Sequence, residues 1–248
     1  MVVKRLTRKE REKIIEKHFG KIPKGKFKSG IYSYCDRWCE KCNKKDACFL
    51  FYMEEREKAG SLAKGMNPQS NEAVFDRIER SLEKTKNLIL EITKAEGIDL
   101  TMTPEQEKEY KRERRLTDPS RHLLMRLTRR LFKETYYFIE SIPPIESKKL
   151  EEEGEKIAHY STQVAAKVFS ALSAKLHAKY EKKNRKFWLD DAFKTSCVAY
   201  RSAKICRDAL KRLDFHLSNF QIRSLVNNYE QILLEIDKKL LSELHPNG

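Results

Sequence analysis

Four cysteines within a run of 14 residues constrain this chain more than any other feature of its sequence. Their spacing is C-x3-C-x2-C-x5-C, and they are Cys35, Cys39, Cys42 and Cys48. Sulfurs this close in sequence can reach one metal centre, and in a reducing compartment clustered thiols favour metal binding over disulfides. The spacing therefore predicts a small metal-binding module near the N-terminus.

The rest of the chain has the composition and periodicity of long helices. Charged residues make up 36% of the 248 residues, whereas there are only 8 Gly and 7 Pro. Apolar residues recur near the 3.6-residue helical period, and no strand-type alternation extends over any length. We therefore predict an all-α fold, an antiparallel bundle of four or five long helices with the cysteine module attached. The long helices are expected at about 70–96, 118–142, 147–183, 187–213 and 216–244.

Capping signals mark several helix ends. Thr7 with Glu10 fits a capping box, and Gly97 is a natural C-cap. Thr103-Pro104 and Asp118-Pro119 both combine an N-cap residue with proline at the first helical position. Each of these pairs is expected to open a helix directly.

A stretch rich in Gly, Asn and Pro at 60–70 is the best candidate linker. It divides the chain into two predicted domains. Residues 1–62 would form a basic N-terminal arm and the four-cysteine module, and residues 70–245 would form the helical bundle.

Two kinds of metal centre fit the cysteine spacing. Structural zinc usually binds two C-x2–4-C pairs separated by a longer loop, whereas here all four cysteines lie in one continuous run. A [4Fe–4S] cluster needs four thiolates, which closely spaced cysteines in a folded-back loop supply. We therefore favour a [4Fe–4S] cluster as the cofactor and keep Zn²⁺ as the alternative. In either case the metal would also stabilise a module with little core of its own.

The last three cysteines, in the pattern Cys39-x2-Cys42-x5-Cys48, resemble the end of the cluster loop in DNA-repair glycosylases of the endonuclease III type. That family's pattern is C-x6-C-x2-C-x5-C, and the apolar continuation at 49–52 is similar to the exit of its loop. The resemblance implies that Cys35, Cys39, Cys42 and Cys48 are ligands of a [4Fe–4S] cluster. In this chain three residues, and not six, separate the first two cysteines, and no helix-hairpin-helix motif is present. The resemblance therefore supports the cofactor and not glycosylase activity.

The segment from Tyr34 to Cys42, Tyr-Cys-Asp-Arg-Trp-Cys-Glu-Lys-Cys, also resembles a group of uncharacterised bacterial helical proteins. Those proteins carry a Cys-Asp-Arg-Trp-Cys-Glu-Arg-Cys type sequence. The resemblance implies a similar fold over much of the chain and brings no function with it.

The chain is strongly basic, with a formal net charge of +15 that is concentrated in a few stretches. Such an asymmetry favours a polyanionic partner, with a solvated Lys-rich surface as the alternative. In the glycosylase resemblance, residues between the last two cysteines approach DNA phosphates; charge compensation at the metal is the other interpretation of these lysines. The candidate nucleic-acid-binding residues are Lys24, Lys26, Lys28, Lys41, Lys44 and Lys45.

Other candidate residues are weaker. Glu155 and His159 are four apart and could meet on one helix face, but the Glu-x-x-His pairs of di-iron bundles do not occur. Cys197 and Cys206 are nine apart, on opposite faces of a helix, and are expected to be structural thiols.

The sequence assigns no catalytic residue, because it contains no G-x-S-x-G, P-loop, G-x-G-x-x-G or H-E-x-x-H motif. We predict a binding, redox-sensing or electron-transfer role, with nucleic acid as the first partner to test. The alternatives are a zinc-stapled protein whose bundle surface binds another protein, and an enzyme with its site between bundle helices. No apolar run approaches the roughly 18 residues that span a bilayer, and no secretory signal is present, so we expect no membrane partner and a cytoplasmic location.

Overall fold

The computed structural model describes residues 5–23, 25–28, 35–142 and 147–244, and these residues form helices and turns without a strand. The all-α prediction is therefore confirmed for this part of the chain. The helices, in chain order from α1 to α9, are Arg8–Phe19, Phe49–Ala63, Asn71–Glu96, Pro104–Thr117, Leu123–Ser141, Lys148–Tyr180, Arg185–Leu217, Phe220–Ile236 and Ser242–Leu244. Within the same residues, no helix combines the length and the apolar character that a membrane crossing requires.

Most predicted helix ends are present. Thr7 and Glu10 form the full capping box of α1. At the start of α3 the Ser70 side chain accepts the Ala73 N–H, and at its end Gly97 takes the left-handed conformation with φ of 68°. Side-chain caps and a positive φ are local properties, which is why the sequence predicts them well.

Three helices differ from their predicted bounds. Helix α7 ends at Leu217 and not at 213, and α8 begins at Phe220 and not at 216. Asp118-Pro119 opens a short 3-10 turn, Pro119–Arg121, and α5 begins only at Leu123. His122 caps α5, since its Nδ1 accepts the Leu124 N–H at 3.2 Å. The last long helix ends as an α-helix at Ile236 and continues as a π-helical turn, Asp237–Leu241.

The chain divides into two compact units. The N-terminal unit comprises Met1–Tyr32 and Cys39–Glu107, and the bundle unit comprises Ser33–Trp38 and Lys108–Gly248. The division at 107 and 108 differs from the expected boundary at 62–70, because α3 packs against α1 and α2. Helix α3 is therefore part of the N-terminal unit and not of the bundle.

The bundle unit is built on four long helices. Helices α5, α6, α7 and α8 each pack against the next, and α5 also packs against α8. Short connections make successive helices antiparallel. Their facing sides form one apolar core, in which Leu124, Phe138, Ile157, Leu210 and Ile236 are almost completely buried.

The N-terminal unit has very little buried apolar surface. Helix α3 is 26 residues long, yet its buried residues are only Ala73 and Glu96. Helix α2 buries Ser61, and α1 has no buried residue. Ion pairs connect these helices instead, including Arg11 with Glu96 and Lys84 with Glu57 at 3.0 Å.

Candidate metal centre and basic surface

Two successive 3-10 turns, Cys39–Lys41 and Lys45–Ala47, carry the last three cysteines: Cys39 begins the first turn, and Cys42 and Cys48 directly follow the first and the second turn. The first turn is closed by the Cys42 N–H, which donates to the Cys39 carbonyl at 3.2 Å. The Lys44 N–H is directed at Cys42 Sγ, at 3.4 Å. Backbone N–H groups that point at sulfur stabilise a thiolate and tune a metal that it binds.

Cys48 is buried, with 6% of its surface exposed, and stands at the N-cap of α2. Its carbonyl accepts the first helical hydrogen bond, from the Tyr52 N–H at 3.1 Å. The N-terminus of a helix carries partial positive charge, which favours an anionic group at this position. The Phe27 ring covers the same end of α2, with its centroid 5.5 Å from the Phe49 ring and 5.1 Å from the Tyr52 ring.

The first cysteine lies in a segment of the bundle unit. Beside it, Asp36 is held by two side chains of α6: the Tyr160 hydroxyl donates to its Oδ2 at 2.7 Å, and His159 Nε2 donates to its carbonyl at 2.8 Å. Asp36 Oδ1 also accepts a hydrogen bond from the Trp38 N–H at 3.2 Å. Arg37, the residue between them, has a φ of +60°. A positive φ is uncommon for a non-glycine residue and is retained here by the contacts on both sides of the turn.

Aromatic packing reinforces this contact. The Trp38 ring is stacked on His159 with centroids 4.6 Å apart and meets the edge of Tyr160 at 5.5 Å. Burial, and then the hydrogen bond to Asp36, raise the pKa of Tyr160, so its hydroxyl remains a donor at neutral pH. The segment before Cys39 is therefore fixed on α6 by one carboxylate and one indole ring.

Sequence reasoning missed this role for His159. The sequence suggests Glu155 as a possible neighbour and sets that pair aside, whereas the structure shows a hydrogen bond from His159 to Asp36, 123 residues away in the chain. The one local signal in the sequence is the Asp-x-Trp spacing. An Asp side chain often accepts a hydrogen bond from the backbone N–H of the residue two positions later.

Of the remaining two cysteines, Cys206 is buried and Cys197 is half-buried. Burial raises the pKa of Cys206 to about 12, which keeps the thiol protonated within the bundle core. Burial also raises the pKa of Cys197, on the same helix α7. Neither residue has the thiolate character that a metal ligand requires.

The four predicted ligands are not assembled as a closed coordination shell. Among the described residues, no group of three or more His, Cys, Asp or Glu side chains is arranged to hold a metal ion. Metal ligands are seldom preformed in the absence of the metal, because the binding free energy itself draws them together. The local features that fit a metal are therefore the N–H group directed at Cys42 and the helix N-terminus at Cys48.

Two basic segments come together in the N-terminal unit. The Lys28 N–H donates to the Ala47 carbonyl at 3.0 Å, which places the loop at 25–28 beside the second cysteine turn. The Lys26 ammonium lies 5.5 Å from the centre of the Tyr52 ring. Lys26, Lys28, Lys41 and Lys44 are exposed and Lys45 is half-buried, whereas Lys24 lies outside the described residues.

The bundle unit carries an open groove of about 620 Å³ between the start of α6 and the end of α7. Its two carboxylates are both in ion pairs with arginine: Glu153 with Arg212, and Asp208 with Arg207. A carboxylate held in this way is a poor general base. The two carboxylates of this groove are therefore poorly suited to general-base catalysis.

Comparisons with known proteins add no identification to this geometry. No protein-family model matches the chain, and neither a curated protein nor a solved structure is significantly similar to it.

Proposed function

We propose that Cys35, Cys39, Cys42 and Cys48 bind a metal centre that stabilises the N-terminal unit. The favoured centre is a [4Fe–4S] cluster, and a tetrahedral Zn²⁺ site is the alternative. Bound there, an iron–sulfur cluster would supply one-electron redox chemistry, whereas zinc would supply only structural stabilisation. The spacing of the four cysteines in the sequence is the basis for the complete ligand set.

The observation that carries the proposal is the environment of Cys42 and Cys48. The Lys44 N–H is aimed at the Cys42 sulfur, and Cys48 stands at the N-cap of α2, where the helix dipole favours negative charge although its sulfur accepts no capping hydrogen bond. A buried neutral thiol needs neither, since it behaves as a small apolar group. The pattern is therefore what thiolate ligands require.

The small core of the N-terminal unit supports a stabilising role for the metal. Its helices bury Ser61, Ala73 and Glu96, of which only Ala73 is apolar. Units with so little buried apolar surface usually depend on a metal, disulfides or association. No disulfide involves any of the six cysteines.

The direct test measures iron, zinc and acid-labile sulfide in protein purified without oxygen, together with a visible absorption spectrum. About four iron and four sulfide per chain, with broad absorbance near roughly 400 nm, are expected for the cluster. One zinc without sulfide would select the alternative. Protein that folds with neither metal would overturn the proposal.

A matched pair of substitutions locates the metal. Cys39→Ser with Cys42→Ser should abolish metal content, whereas Cys197→Ser should leave it unchanged. Retention of the full metal content in the double variant would show that these cysteines are not the ligands.

We further propose that the basic surface beside the cysteine turns binds nucleic acid. The supporting observation is the hydrogen bond between Lys28 and Ala47, which joins two basic segments that are separate in the sequence. Exposed lysines gathered on one side of a unit bind phosphates through counterion release, without reading base sequence. The two acidic residues within these turns, Glu40 and Asp46, lower the net charge of the surface without cancelling it.

This second proposal is tested with a duplex oligonucleotide and a series of salt concentrations. Lys44→Ala with Lys45→Ala should weaken binding and reduce the slope of log K against log[salt] by about 2. Lys182→Ala with Lys183→Ala removes the same charge from an exposed turn of the bundle unit and should have a much smaller effect. If both double variants lose the same affinity for the duplex, the interaction depends on net charge alone and not on this surface. No binding at low salt would exclude the interaction.

A further inference from the structure

Helix α3 presents an apolar stripe that the N-terminal unit does not cover. Phe75, Ile78, Leu82 and Ile89 are between 48% and 70% exposed. At about 100° per residue, these four positions fall within a sector of about 60°. The α3 side chains that bond to α2, such as Arg77 with Ser61 and Lys84 with Glu57, lie roughly 130–150° around the helix from the centre of the stripe. One edge of the stripe borders α2, since Ile78 and Leu82 line an open pocket together with Leu50 and Met53, but all four stripe side chains remain largely exposed to solvent.

The spacing of the stripe is that of a coiled-coil seam. Phe75, Leu82 and Ile89 occupy one heptad position, and Ile78, Thr85 and Ile92 occupy the other, at alternating steps of three and four. From Phe75 to Ile92 the seam is about 26 Å long. A seam of this kind packs against another helix with the same repeat and not against a flat surface.

The charged residues beside the seam fit a second copy of this helix running in the opposite direction. Glu79 and Lys86 border the seam on one side, and both are exposed. In an antiparallel pair with Leu82 opposite Thr85 of the partner subunit, each Glu79 faces Lys86 of the partner subunit. The two-fold axis then repeats this pair, which gives two attractive contacts.

A parallel pair fits less well. It would place Thr85 against its own copy in the centre of the seam, and the positions opposite Glu79 and Lys86 would be Val74 and Ser81. No ion pair would form. The sequence along α3 therefore discriminates between the two directions.

We propose that two copies of this chain associate through antiparallel pairing of their α3 helices. The exposed stripe supplies the apolar contact, and the Glu79–Lys86 pairs fix direction and register. This inference is independent of the metal proposal, since none of its residues belongs to the cysteine turns.

The test is sedimentation equilibrium of the full chain, purified with its metal, at concentrations up to about 0.1 mM. A reversible dimer is expected. Leu82→Glu should raise the dissociation constant at least about 100-fold, because it places two charges in the seam. Unchanged far-UV circular dichroism would show that the variant remains folded.

Charge reversal tests the direction with substitutions that are confined to the surface. Glu79→Lys alone should weaken the dimer about tenfold, and adding Lys86→Glu should restore it. Glu105→Lys on the exposed face of α4 is the control and should have no effect. A chain that is monomeric throughout this range, a dimer indifferent to Leu82→Glu, or a double reversal that fails to restore association would each overturn the proposal.

Discussion

The two units of this protein are both helical, but they are stabilised in different ways. The bundle unit buries a continuous set of apolar side chains contributed by α5 to α8. The N-terminal unit has helices of similar composition that bury almost none, and ion pairs such as Lys17–Glu91 connect them at the surface. Exposed ion pairs contribute about 0–1 kcal/mol each, whereas a buried leucine contributes several times more.

The difference indicates that helix periodicity and fold stability are separate properties. Helix α3 is as clearly amphipathic as the bundle helices, yet its apolar stripe remains exposed. A unit of this kind needs a further source of free energy, either from a bound metal or from a partner. The N-terminal unit carries two features that could supply it, namely Cys39, Cys42 and Cys48 of the four-cysteine motif and the α3 seam.

Removal of the metal should produce the largest contrast between the units. Structural metal binding contributes on the order of 10 kcal/mol, more than the small core of the N-terminal unit provides. After treatment with a chelator, hydrogen exchange should become fast throughout α1, α2 and α3 and change little in α6 and α7. Equal protection of both units after metal loss would contradict a stabilising role for the metal.

Truncation within the bundle core should have the next largest effect. Leu210 on α7 is fully buried, so Leu210→Ala should lower the free energy of unfolding of the bundle unit by about 3 kcal/mol. Leu234→Ala on α8 is the control, since Leu234 is 71% exposed, and its effect should stay within about 0.5 kcal/mol. Denaturant titration followed by circular dichroism measures both values.

The sequence predicts the bundle unit well because its determinants are local and repeated. The 3.6-residue period predicts long helices at about 118–142, 147–183, 187–213 and 216–244, and α5 to α8 occupy these stretches with shifts of a few residues at their ends. Periodicity shows which face of a helix is apolar, but it does not show which element packs on that face. For this reason the sequence predicts residues 70–96 as part of the bundle, whereas α3 belongs to the N-terminal unit.

The candidate site is less predictable than the fold. The cysteine spacing and the nearby lysines are evident from the sequence, but whether they form a site stays a prediction. The contact between Asp36 and α6 joins residues more than 120 positions apart, and no pattern in one sequence encodes such a pair. Neither the direction of the Lys44 N–H nor the burial of Cys48 follows from spacing alone.

Acid should weaken the bundle unit through Glu153. Burial alone would raise the pKa of this carboxyl, but hydrogen bonds from Arg212 and Lys156 outweigh it and hold the pKa below its ordinary value of 4.5. The folded state then binds the proton less readily than the unfolded state does. The stabilisation is therefore present above about pH 4.5 and is lost as the pH falls through the lower folded-state value.

The variant Glu153→Gln tests this linkage. At neutral pH it should cost about 1–2 kcal/mol, because Arg212 and Lys156 are partly exposed and solvent screens their charges. The difference from the natural protein should narrow as the pH falls below 4.5, the ordinary value for this carboxyl. Glu152→Gln, at an exposed position on the same helix, should give nearly the same stability as the natural protein at pH 7. A constant difference across the whole pH range would contradict the assignment.

The smallest expected effect concerns the segment that carries the first cysteine. Tyr160→Phe removes the hydroxyl that donates to Asp36 at 2.7 Å and leaves the ring packing in place. The free energy of unfolding of the bundle unit should fall by about 1 kcal/mol, the usual net value of one hydrogen bond. Tyr137→Phe, at a site that is 67% exposed, is the matched control and should be neutral.

A local measurement separates anchoring of this segment from a general loss of stability. The Trp38 amide donates to the same Asp36 carboxylate, so its hydrogen exchange reports on whether that carboxylate stays in place. In Tyr160→Phe the exchange rate of the Trp38 amide should increase by a larger factor than the loss in global stability predicts. The exchange rates of amides in the centre of α7 should increase only by the factor that the global loss predicts. If both groups of amides change by the same factor, the Asp36 contact has no separate local stability. The segment at 36–38 would then depend on the bundle core as a whole and not on Tyr160.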